Sequence, residues 1–144
     1  MSAPNPRSRF GVAFVQLARQ WRRAIDVRLA QAGLTDATWS PLVYLDGAPD
    51  GIVQKDLATL VGIDDSSLVR LVDILERRGL IERRIDEHDR RAKRVVLTVE
   101  GREAVRSIRK TLHKAEAEML ALVSDAEIVE MLDIFDRIDA GSRK

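Results

Sequence analysis

The sequence predicts a mainly α chain with a small β-wing, a winged helix-turn-helix with N- and C-terminal dimerisation helices. Three observations carry this. Residues 54–62 and 63–79 read as two short helices parted by Gly62. Residues 80–85 and 95–98 read as two short strands joined by the charged loop 86–94. Apolar stripes at helical spacing lie outside this module, toward each end of the chain.

Residues 1–9 are polar, rich in Pro, Ser and Arg, and read as a flexible N-terminal arm. Phe10, Phe14, Leu17, Trp21, Ala24 and Arg28 then recur at steps of four and three, so their apolar members share one helix face. Gly33 ends that segment. Thr35 is placed to cap a second helix carrying Trp39, Leu42, Val43 and Leu45, with Pro41 early enough to be tolerated. Gly47, Pro49 and Gly51 make a loop. After the winged module, Val105, Ile108, Leu112, Ala115, Met119 and Leu122 repeat at three and four like a heptad seam. Ser124 or Asp125 can cap a last helix, striped by Ile128, Met131, Leu132, Phe135 and Ile138.

The division expected is therefore a winged lobe at 34–99 and a helical dimerisation region at 10–33 and 100–140. The winged module has a small core of its own, so the outer stripes need another surface. A second copy related by a two-fold axis supplies one. The plainer alternative is a monomer whose three outer helices bury one another.

Composition narrows the function. The chain has 144 residues, a formal net charge of +1 and no cysteine. Disulfides, thiolate zinc sites and thiol redox sensing are excluded. No apolar run reaches the length of a membrane span and the first nine residues lack a signal-peptide core, so a cytoplasmic protein with no membrane partner is expected. The near-neutral total hides an uneven distribution. Residues 1–35 hold six basic side chains and one acidic, residues 70–94 hold nine and six, and residues 111–140 hold two and eight. An electrostatic footprint must be read locally.

Within the second helix of the motif, Leu68, Leu71, Val72 and Leu75 form a core face. At about 100° per residue, Ser66, Arg70, Asp73 and Arg77 fall on the opposite side. Asp64 or Asp65 is placed to cap it. Ser66 and Ser67 are short enough for the backbone to approach a groove, and Arg70 can contact guanine in bidentate fashion. The alternative is a solvated Arg70 paired with Asp73 or Glu76. Lys55, on the first helix of the motif, is a candidate phosphate contact or simply a solvated lysine.

A charge run is usually a solvated face. The run 86–94 is instead presented between two strands, directly after a recognition-type helix. An arginine at such a tip suits a narrow, strongly negative minor groove. Asp89 is expected to brace the loop by accepting from a nearby arginine or from backbone amides, leaving Arg91 free to insert. Arg90 and Lys93 complete the basic cluster.

The run Asp-Arg-Arg-Ala-Lys-Arg-Val-Val-Leu-Thr at 89–98, with Leu-Glu-Arg-Arg-Gly-Leu-Ile-Glu-Arg-Arg at 75–84, resembles the MarR family of bacterial transcription regulators. Ser-Leu-Val-Arg at 67–70 with the same wing is similar to its SlyA-like branch. The resemblance is specific in 54–98 and a matter of pattern elsewhere. It implies a homodimer with interlocked terminal helices whose two winged modules read a pseudo-palindrome in double-stranded DNA. It implies Asp89 as wing brace, Arg91 as minor-groove finger and Arg70 as base reader. It also implies a cavity for a small aromatic-acid effector, for which Trp21, Trp39 and Tyr44 are the candidate lining here, although aromatic residues at helical spacing more often belong to a core. No cofactor and no metal site are expected. The chain departs from the family's cysteine-using peroxide sensors, and its only histidines, His88 and His113, lie too far apart in sequence for a zinc site to be expected.

Two other classes compete. An enzyme would need a nucleophile motif, a Gly-rich phosphate loop or metal-spaced histidines, and the sequence has none. A winged-fold module binding protein rather than DNA would have no use for an arginine at the wing tip.

Overall fold

A computed structural model describes residues 3–33 and 37–143. It divides into two compact units, residues 1–112 and 113–144, each taken by itself below.

Helix α1 spans Pro6–Gln31. It starts inside the segment expected to be a flexible arm, and the cause is local. The Asn5 side chain accepts from the Arg7 amide, and Pro6 stands where a missing N–H costs nothing. Only the far end of α1 is buried, at Ile25 and Leu29. Phe10, Phe14 and Leu17 stay exposed, with the Phe10 and Phe14 rings stacked 5.6 Å apart. Helix α2 spans Trp39–Asp46, later than the expected start. Its capping position is Thr38, whose side chain makes no cap bond, and Thr35 lies outside the described residues. Pro41 is the third helical residue, early enough to leave no broken bond, and it is buried.

A two-residue strand, β1 (Ile52–Val53), precedes α3 (Gln54–Val61) and α4 (Asp65–Arg77). Gly62, at φ +82°, supplies the left-handed residue that ends α3 and turns the chain into α4. Asp64 caps α4 by accepting from the Ser67 amide at 2.8 Å. Strands β2 (Ile81–Ile85) and β3 (Lys93–Leu97) form the hairpin.

The expected two-stranded ribbon is a three-stranded antiparallel sheet in the order β1-β3-β2. Strand β1 is too short to show alternation. It becomes a strand only because Ile52 and Val53 meet Val95 and Arg94 of β3. The centre of the sheet, Val95–Val96–Leu97, is buried with Leu57, Leu68, Val72, Leu75 and Ile81 in a single core, and Leu42 and Leu45 of α2 are buried too. Leu71 is only half-buried.

Helix α5 (Val99–Met119) begins in the first unit. Its Thr98–Gly101 start is clamped to the turn after α4 through Thr98 Oγ1 donating to Gly79 O (2.6 Å). Arg109 reaches α2, donating to Asp46 Oδ2 at 2.5 Å and to Val43 O at 3.4 Å. Val105, Ile108 and Leu112 are buried as the seam requires. The seam stops short of Leu122, which lies in the turn beyond the helix and is wholly exposed.

In the second unit, α6 (Asp125–Ser142) opens with a capping box. The Ser124 hydroxyl accepts from the Glu127 amide, and the Glu127 carboxylate accepts from the Ser124 amide. No residue of α6 is buried.

Candidate nucleic-acid interface

Helix α4 buries Leu68, Val72 and Leu75 and turns Ser66, Arg70 and Arg77 outward, as its period requires. Arg70 has no side-chain partner among the described residues. The acids that could have claimed it are engaged elsewhere. Asp73 pairs with Arg83 of β2, and Glu76 accepts from the Arg83 amide at 3.2 Å. Arg83 thus ties the wing's first strand to α4 and leaves Arg70 available.

Both serines bond to the carboxylate that caps α4. Ser66 Oγ donates to Asp64 Oδ1 at 3.0 Å, and Ser67 Oγ donates to Asp64 Oδ2 at 2.8 Å. Their hydroxyl protons are committed to the cap, so each presents acceptor lone pairs outward. The bonds from the Ser67 amide and from both hydroxyls lower the Asp64 carboxyl to about 2. Arg77 is exposed, yet its Nε donates back to Asp73 O at 3.3 Å. Lys55, on α3, is exposed and unpaired among the described residues.

The wing tip is a tight turn. Ala92 N donates to Asp89 O at 3.0 Å, which makes Arg90 and Arg91 its two corner residues. Asp89 Oδ1 accepts from the Arg91 amide at 2.9 Å, an Asx bond that stiffens the corner. Of the two expected kinds of partner for Asp89, backbone amide is the one it takes. The side chains of Arg90, Arg91 and Lys93 are exposed and have no partner among the described residues.

The carboxylate that takes an arginine is Asp86, which sequence reasoning passed over. Its Oδ1 accepts from Arg94 Nε (2.9 Å) and Nη2 (2.8 Å). Its Oδ2 accepts from the amides of His88 (3.2 Å) and Asp89 (3.0 Å). Asp86 is 6% exposed. The Arg94 guanidinium, with the two amides, holds its carboxyl below the usual carboxylate range. A signal existed, since Asp86 and Arg94 are the first and last residues of the charged run and flank one hairpin. Two arginines, Arg84 and Arg94, also face each other across β2 and β3. Such a pair repels unless each has an acid, and Glu82 and Asp86 supply them.

Two of the three aromatic residues offered as effector contacts, Trp39 and Tyr44, lie on α2, and Trp21 lies on α1. Trp39 and Tyr44 are five residues apart on α2 and so diverge by about 140°. The Trp39 ring is covered by Arg22, whose guanidinium carbon lies 4.8 Å from the ring centroid. Tyr44 is 43% exposed and Trp21 is half-buried.

A helix-turn-helix with a basic, turn-tipped hairpin is the make-up of a winged-helix transcription regulator. The MarR family profile matches residues 32–92. The transcriptional regulator PA3341 is 33% identical over 93% of this chain and 98% of its own, with a TM-score of 0.82. A MarR-family regulator from Rhodococcus sp. RHA1 is 27% identical over 94% and 96%, with a TM-score of 0.81. CouR bound to a 23-mer DNA duplex is 28% identical over 90% and 91%, with a TM-score of 0.73. CouR from Rhodococcus jostii RHA1 has also been seen with p-coumaroyl-CoA, at 27% identity over 90% of each chain and a TM-score of 0.76. This chain belongs to the MarR family of transcription regulators and is not an enzyme. Among the described residues no helix is long and apolar enough to cross a membrane.

Proposed function

We propose that the chain is a cytoplasmic, homodimeric repressor that reads a pseudo-palindromic operator in double-stranded DNA. Its α4 helices enter successive major grooves, with half-sites about 10 base pairs apart. Its wing arginines enter the flanking minor grooves. The observation that carries this is the set of unpaired cations, Arg70 on α4 and Arg90 and Arg91 on the wing corner, standing free while neighbouring arginines are paired. Arg70 is the base reader, in the manner of the SlyA-like branch. Ser66 and Ser67 face the groove as acceptors, and Lys55, Arg77 and Lys93 meet phosphates. Asp89 braces the corner from which Arg91 inserts. CouR, a transcriptional repressor seen on DNA, supports the repressor reading.

The dimer is formed by residues 10–33 and 100–140. The support is the apolar surface that one copy leaves in water, including Leu17 at 61% and Val129 at 68%. A small aromatic effector acts on it, as the p-coumaroyl-CoA complex of CouR suggests. Trp21, Trp39 and Tyr44 are the residues offered for contact, and Trp39 must release Arg22 to stack on a ligand.

The test is titration of duplexes recovered by in vitro selection, at two salt concentrations. Affinity falls steeply with salt, because phosphate contacts release counterions. Arg91→Ala costs about 1–3 kcal/mol of DNA affinity and leaves the oligomer mass unchanged. Binding equal to wild type in that variant removes Arg91 from the interface.

A further inference from the structure

We propose that Asp86 and Arg94 are the positioning pair of the wing, a lock at its root that aims the Arg90–Arg91 corner without touching DNA. This rests on the reading of the wing as a minor-groove contact.

The geometry makes Asp86 a junction. One carboxylate oxygen takes the Arg94 guanidinium and the other takes the amides of His88 and Asp89, so a single buried side chain holds the outgoing arm of the loop and the returning strand. The Asp86 amide adds a third tie, donating to Ala92 O at 3.1 Å. Arg94 then anchors the wing to the body. Its Nη1 donates to Gly51 O at 3.0 Å, in the loop that leads into β1. Gly51 is shaped for that approach. Its φ is +84°, and a Cβ there would collide with Val95 O and the Val96 side chain. The guanidinium is therefore spread over a carboxylate and a carbonyl from two different segments, which a lysine cannot reproduce.

The contrast within the charged run supports the assignment. Arg94 and Asp86 are paired, and the Asp86 side chain is 7% exposed, whereas Arg90 and Arg91 are exposed and unpaired. The run holds both the contact residues and the device that aims them. Removing the lock frees the hairpin to sway, and the corner arginines then lose alignment with the groove while α4 keeps its own.

The experiment is a double-mutant cycle on the full chain, with the selected duplex as probe and anisotropy as readout. Asp86→Asn weakens binding roughly ten-fold, the order of loss expected when a wing arginine no longer reaches its groove. The double variant with Arg91→Ala loses less than the two single losses combined, because an absent arginine has nothing left to aim and only the share of Arg90 remains to be lost. The consensus read under α4 stays the same in a repeated selection. Arg94→Lys, which keeps charge but not the fork, behaves like Asp86→Asn and serves if that variant does not fold. Additive losses from Asp86→Asn and Arg91→Ala overturn the proposal, as does unchanged binding in both Asp86→Asn and Arg94→Lys. If neither variant folds, the pair is a folding determinant and the proposal falls. Binding that survives Arg91→Ala intact sinks the wing reading itself, a failure separate from this one.

Discussion

In the winged lobe Leu57, Leu68, Val72 and Leu75 are fully buried, whereas in α6 Leu132 stands 55% exposed, Ile138 41%, and no residue of the helix is buried. Both regions carry apolar residues at helical spacing, and both have well-specified helix starts. Asp64 caps α4 and a capping box opens α6. Local signals are therefore complete in each, and the difference lies only in what the apolar face meets. The lobe is a closed unit with its own core. α6 leaves its apolar stripe exposed, and so, in the other unit, does the N-terminal half of α1.

The largest expected effect tests the closed half of that contrast. Leu68 is completely buried, so Leu68→Ala leaves a cavity in the lobe core. It should cost about 2–5 kcal/mol of folding stability in denaturant unfolding. A loss under about 1 kcal/mol would mean that the lobe core is looser than its burial indicates.

The open half is tested by Leu132→Glu on α6. A glutamate keeps the helix propensity but places a charge on the exposed stripe. The wild-type chain should sediment near twice 16.2 kDa, and the variant near 16.2 kDa, at the same micromolar concentration. A variant mass equal to wild type would take Leu132 out of the proposed dimer contact, and a monomeric wild type would leave the stripe of α6 without the partner proposed for it.

Much of the lobe was legible in the sequence because its signals are local. The Gly62 break, the Asp64 cap and the Leu68–Val72–Leu75 face depend on residues close in sequence, and they appear as expected. What escaped depends on distant partners. Strand β1 exists through its pairing with β3, some forty residues later. The arm expected at 1–9 overlooked Asn5 and Pro6, a cap and a first-turn proline strong enough to start α1 at Pro6. At the candidate interface, the exposed basic set was readable from the period of α4 and the hairpin. The partners of individual charges were not. Arg83 claims Asp73, and Arg94 claims Asp86, through contacts across the fold that spacing along one element does not reveal.

The smallest effect sharpens the comparison at the level of the caps. The Asp64 carboxyl is lowered from 3.8 to about 2 by the Ser67 amide and by the hydroxyls of Ser67 and Ser66. A depressed folded value means that the ionised cap favours the folded state. That stabilisation is fully present above the unfolded value of 3.8 and is lost as pH falls through about 2. Asp64→Ala should therefore lower Tm by a few degrees at neutral pH, and the gap to wild type should close only as pH drops from about 4 toward 2. Asp64→Asn keeps an acceptor for the Ser67 amide and removes the titration. It should sit close to wild type at neutral pH and show none of that acid-side closure. A gap that has already vanished at pH 5, or that stays constant down to pH about 2, would mean that the serine cluster does not hold the charged form. α4 would then owe its stability to core packing alone.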